Sequence, residues 1–172
     1  MSKIKIIFIV LSLLLITASA ARASGYVLPY PSFMPGSKFY RFHQVWEKIQ
    51  CYWHWGNLGK FKYNLRLSDK YLVESKTLFE YSQHALAVQA LGKSNHYFQQ
   101  TFLFLIKAKE EGKDTNQKRI ILVEASEKHK EVLDRLLTEL PKVIVWQEEK
   151  QTAQRLPVEE LLIEAKVIRE KI

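Results

Sequence analysis

The chain has 172 residues, 47% of them hydrophobic, with 26 basic and 18 acidic side chains and a formal charge of +8. That is the size of one domain with one core, and a single cysteine, Cys51, excludes a scaffold stapled by internal disulfides. The basic residues are spread among glutamates instead of clustered, so nucleic acid is not an expected partner.

Residues 1–23 read as an export signal: Lys3 and Lys5, apolar runs over 6–11 and 13–16, then small residues. Two A-x-A sites, 18–20 and 21–23, close it, and the second starts the mature chain at Ser24. An uncleaved anchor is the alternative, because the apolar stretch approaches the roughly 17 to 25 residues that span a bilayer. A membrane-bound form is expected only through such a leader, although a weak attraction to anionic envelope polymers or lipid headgroups remains. Cleavage removes Lys3, Lys5 and Arg22 and no acid, which lowers the charge by three.

Residues 24–36 form a proline-rich extended leader. Pro29, Pro31 and Pro35 favour a polyproline conformation that loses little entropy on ordering. Tyr26, Tyr30 and Phe33 then lie across the bundle as a strap, with a spacer or a recognition peptide as alternatives.

The helical domain occupies residues 37–172. Its first helix is capped by Ser37 and carries Phe39, Phe42, Trp46, Ile49 and Trp53 at gaps of three and four, an aromatic heptad seam expected to enter the core and to stop at Gly56. A long helix over about 58–91 follows, with Leu58, Phe61, Leu65, Leu72, Phe79 and Leu86 in one row. Leu67, Tyr71, Leu78, Tyr81, Ala85 and Val88 lie on the opposing side, so neighbours are expected on both flanks. Within it residues 60–67 alternate with period two, but the helical period continues beyond them, and Gly92 offers the C-cap. A third helix over 94–111 ends at Gly112. Asp114 and Gln117 have the spacing of a capping box for a fourth, which runs to Pro141. Residues 142–146 are β-prone, yet with no obvious partner strand a short fifth helix to about residue 154 is preferred. Pro157, Glu159 and Glu160 then open the last helix. The expected fold is all-α, an antiparallel helical bundle or an elongated helical hairpin stack.

The run YVLPYPSFMPGSKFY resembles the N-terminal signature of a family of exported bacterial helical domains of unknown function, a Leu-Pro-Tyr-Pro core followed by Gly, two residues and Pro. Leu28, Pro29, Tyr30, Pro31 and Pro35 match, and Ser32 replaces the glycine. Residues 108–114 and 124–141 also look like that family's central helices. The resemblance implies a signal peptide and an α-helical exported domain, with no assigned biochemical role.

His43, Cys51 and His54, at i, i+8 and i+11 on the first helix, are the candidate metal ligands, with the i, i+3 spacing that metal-binding pairs use. The competing reading is packing. His84, His96 and His129 are scattered, and His129 falls among Leu122, Ala125 and Leu133 as a half-buried, hydrogen-bonded core histidine. No H-E-x-x-H, G-x-S-x-G, phosphate loop or G-x-G-x-x-G occurs, so neither an enzyme nor a cofactor is expected. The rings of the first helix, with Lys60, Lys62 and Arg66 beyond, suit either a core or an amphipathic surface, and the heptad spacing favours the core. Tyr30, Tyr52 and Trp55 are left over as candidate binding residues. The expectation is a non-catalytic exported domain that binds or spaces at the cell envelope, with self-association along the two-faced long helix as one mode. A metal- or stress-responsive binding protein using His43, Cys51 and His54 is the alternative.

Overall fold

A computed structural model describes residues 25–31, 35, 38–146 and 154–171. The export signal expected over residues 1–23 and Phe33 of the expected strap lie outside the described residues. Among the described residues the chain is all-α apart from one short ribbon: α1 Tyr40–Trp53, α2 Gly56–Glu80, α3 His84–Glu110, α4 Asn116–Glu139, β1 Ile144–Trp146, β2 Gln154–Leu156 and α5 Val158–Glu170. No helix among them is long and apolar enough to cross a membrane.

The centre of the fold is the antiparallel hairpin of α2 and α3. Small residues bring the two helices close: the Ser68 hydroxyl donates to the Ser94 carbonyl at 3.0 Å, and the Ser94 hydroxyl returns a bond to the Ser68 carbonyl at 2.8 Å. One end of the hairpin is held in the same way by Ser75, which donates to the Ala87 carbonyl at 2.9 Å. Helices α4 and α5 pack on each other and against the hairpin.

The expected helix over 58–91 is therefore two helices, broken at Tyr81, Ser82 and Gln83. Ser82 adopts φ 58°, while its N–H bonds the Phe79 carbonyl at 3.0 Å and the Gln83 N–H bonds the Leu78 carbonyl at 2.8 Å. This is a left-handed C-cap made by serine where glycine is usual, which is why no breaker residue marks it. Gly92, read as that cap, lies inside α3 with open space where a side chain would be. Gly112 ends α3 as expected: it has φ 75°, and the Lys113 N–H returns to the Ala108 carbonyl at 3.1 Å.

The expected fifth helix is also replaced. Residues Ile144 to Trp146 pair antiparallel with Gln154 to Leu156, with Ile144 opposite Leu156. Val143, Ile144 and Val145 are β-branched, and Pro157 holds Leu156 extended, so both segments favour strand over helix. Ile144 buries its side chain in the core and ties the ribbon to the end of the bundle.

Two larger apolar clusters stack along the bundle, beside a smaller one of Tyr63, Leu67 and Tyr71. The first joins Leu72, Leu78, Phe79, Ala87, Leu91, Leu133, Leu136 and Leu162, and the second joins Phe61, Leu65, Phe98, Leu105, Leu122 and Ile168. Between them runs a buried polar layer. His129 Nε2 and Asp69 Oδ1 are 2.7 Å apart, Arg169 Nη2 donates to Ser94 Oγ at 2.9 Å and bonds Asn95 through Nη1, and Ser126 donates to the Arg169 carbonyl at 2.6 Å. His129 is fully buried, not half buried as its sequence neighbours suggested. Burial holds its imidazole below the ordinary range, so it is neutral, with Asp69 opposing the shift. The strap joins this layer: Tyr26 donates to Asp69 Oδ2 at 2.6 Å, and Leu28 packs on the first cluster.

Candidate functional site

Helix α1 lies on the bundle with its polar side down. Tyr40, Gln44 and Glu47 recur at i, i+4 and i+7 and turn inward, whereas Phe42, Val45, Trp46, Ile49 and Trp53 turn outward. Phe42 is 71% exposed and Trp53 64%, so the aromatic seam expected in the core is a surface. Heptad spacing defines a stripe but not the phase it faces. The decision falls to what the neighbouring helix offers, and α2 offers phenols and an ammonium.

Glu47 is the one buried side chain among those described on α1. Its carboxylate accepts from the Tyr71 hydroxyl at 3.1 Å and pairs with Lys70, and its carbonyl accepts from the Tyr63 hydroxyl at 2.9 Å. Two turns earlier the Tyr40 hydroxyl donates to Glu74 Oε1 at 2.7 Å, and one turn later Gln50 bonds Arg66. Burial raises the phenols of Tyr71 and Tyr40, which stay protonated donors, and burial also raises the Glu74 carboxyl against the opposing Tyr40 bond and Lys70. The junction to α2 is tight: a side chain at Gly59 would meet the His54 backbone at 3.0 Å, and Gly56 takes φ 69° to start α2.

Beside this contact a cleft of about 600 Å³ opens between α1, α2 and α3. Its floor is Tyr63, Tyr71 and Tyr97, the last two stacked at 5.7 Å with an interplanar angle of 6°. Lys93 places its ammonium 5.0 Å from the Tyr71 ring, and exposed His96 stands edge-on to Tyr97 at 5.5 Å. Gly92 keeps one wall open. The volume is within the usual range for small-ligand sites, and the lining mixes aromatic faces with the amides of Gln44 and Gln89.

The six residues singled out by sequence divide. Tyr30, 91% exposed, and Tyr52 and Trp55, also well exposed, remain open for contact. Tyr30 follows Pro29, which shares a groove with Trp46, so the strap borders the α1 surface. His54 falls just past the end of α1, with Nδ1 bonded to the Gln50 carbonyl at 2.7 Å and its ring 5.1 Å from Tyr63, a packing arrangement. The side chains of His43 and Cys51 lie outside the described residues. Among the described residues no group of three or more His, Cys, Asp or Glu side chains is placed to hold a metal ion.

Sequence reasoning passed over Glu47, Tyr63 and Tyr97, and placed Tyr71 only in an apolar row. A signal was there: Tyr40, Gln44 and Glu47 recur at i, i+4 and i+7 as a polar stripe, and Tyr63, Lys70, Tyr71 and Glu74 give α2 the donors and acceptors that meet it. Most of the two apolar rows of the long helix find neighbours inside the chain, while Tyr81 and Leu86 stay exposed. No family model, no curated protein and no solved structure matches the chain.

Proposed function

We propose that the chain is a non-catalytic, exported domain that binds a component of the cell envelope through the outward face of α1. The observation that carries this reading is the inversion of that helix: its acid and amides face the bundle, and its rings face solvent. A contiguous apolar patch left uncovered on a folded domain marks an interaction surface, and Trp and Tyr are the side chains that dominate such contacts. The leader-like residues 1–23 and the proline signature support an extracytoplasmic address.

The test compares the full chain with its Phe42→Ser, Trp53→Ser double variant on envelopes isolated from the host. Both carry the same leader, so the difference reports α1. Release of the variant under conditions that retain the parent is the expected result; equal retention would dismiss the reading.

A further inference from the structure

We propose that the partner of the α1 face is an anionic lipid surface, into which the rings of α1 insert with the helix lying in the plane of the interface. This rests on the reading above and adds the chemistry of the partner.

The first argument is charge. Between residues 38 and 66 the basic side chains are Lys38, Arg41, Lys48, Lys60, Lys62 and Arg66, and the one acid is Glu47. That acid is turned into the bundle and bonded to Lys70 and Tyr71, so it does not oppose an approaching anionic surface. Lys38, Lys60, Lys62 and Arg66 are exposed, and Arg66 sits at the edge of α1 through its bond to Gln50. Basic residues beside an apolar face are the pattern of a helix that binds an anionic leaflet.

The second argument is the kind of ring and its placement. Trp46 and Trp53 meet edge to face at 5.6 Å, and Tyr52 and Trp55 extend the patch at the end of the helix. Tryptophan and tyrosine favour the headgroup level of a bilayer because one end of each ring system is apolar and the other donates a hydrogen bond. An apolar stripe of a 14-residue helix is too short to cross a bilayer and suits one lying flat on it. The third argument is continuity. The strap, with exposed Val27 and Tyr30, reaches the groove that Pro29 shares with Trp46, so its apolar side chains border the α1 face.

The experiment uses the full chain and protein-free vesicles of phosphatidylcholine, with and without phosphatidylglycerol, some carrying lipids brominated near the headgroup. Expected are quenching of tryptophan emission by the brominated anionic vesicles, weaker binding to neutral vesicles, and about a tenfold or greater loss of binding in the Phe42→Ser, Trp53→Ser variant. Co-sedimentation without quenching, or equal binding of parent and variant, would overturn the proposal. So would a mass from sedimentation that shows two copies joined through this face. Quenching of the parent does not depend on how the variant folds. If the variant leaves host envelopes while anionic vesicles fail to bind the parent, the lipid assignment alone falls. If the variant stays on host envelopes, the reading of the α1 face falls with it.

Discussion

The Tyr71 hydroxyl reaches across 24 positions of sequence to donate to the Glu47 carboxylate at 3.1 Å, and this contact, with the Lys70 ion pair, fixes which side of α1 meets the bundle. Glu47→Ala is expected to cost about 2 to 3 kcal/mol, because it strips a partner from the buried Tyr71 hydroxyl and the half-buried Lys70 ammonium. Urea denaturation measures the loss. Hydrogen exchange should show the amides of α1 opening first, since the helix is held by polar contacts that single residues supply.

The exposed rings make an opposite prediction. Single substitutions Phe42→Ser and Trp55→Ser are expected to change stability by no more than about 0.5 kcal/mol, as surface changes do. A core ring would cost about 3 to 5 kcal/mol on truncation. Thermal melts of the two variants separate these values without ambiguity.

His129 gives stability a pH dependence of definite sign. Its folded-state affinity for a proton is depressed by burial and by the Arg169 charge, with Asp69 opposing, so below the ordinary 6.5 the unfolded chain binds a proton that the folded chain refuses. This contribution is present above that pH and is lost as pH falls. The melting temperature should drop on acidification from pH 8 towards 5, with a shallower drop in His129→Gln over the same window.

Glu74 acts in the reverse direction. Burial raises its carboxyl, with Tyr40, Lys70 and Lys93 opposing, and Oε2 is buried without a hydrogen-bond partner. A raised acid binds its proton more tightly when folded, so its contribution is present below the ordinary 4.5 and is lost as pH rises. Glu74→Gln removes the ionisable group, and melts from pH 4 to 8 should show the parent losing ground to the variant as pH increases.

Ser82 occupies a left-handed conformation at φ 58° between α2 and α3. Ser82→Gly relieves that strain while the capping bonds of residues 82 and 83 remain, and a gain of about 0.5 to 1 kcal/mol is expected in chemical denaturation.

These particulars show what could be read in advance. The helical class followed from three-and-four spacing, and Gly112 and Pro141 marked real ends because both act through local backbone geometry. The break at Ser82 was invisible since a serine performs a glycine's task there, and the β1–β2 ribbon was missed because its partner strand, Gln154 to Leu156, carries little β signal of its own. The orientation of α1 was misjudged for a different reason. Amphipathicity states that two faces differ, and which face turns inward depends on Tyr63, Tyr71 and Lys70 of another helix, a tertiary fact. The cleft between Tyr71, Tyr97 and Lys93 belongs to the same category, since its walls come from three separate helices.

Arg169 and Tyr26 stand near opposite ends of the described chain, and both converge on the pair formed by Asp69 and His129. A product interrupted before residue 169 would bury an acid and an imidazole with no guanidinium above them, whatever the quality of its earlier helices. Synthesis through residue 169 thus becomes a condition for a closed interior.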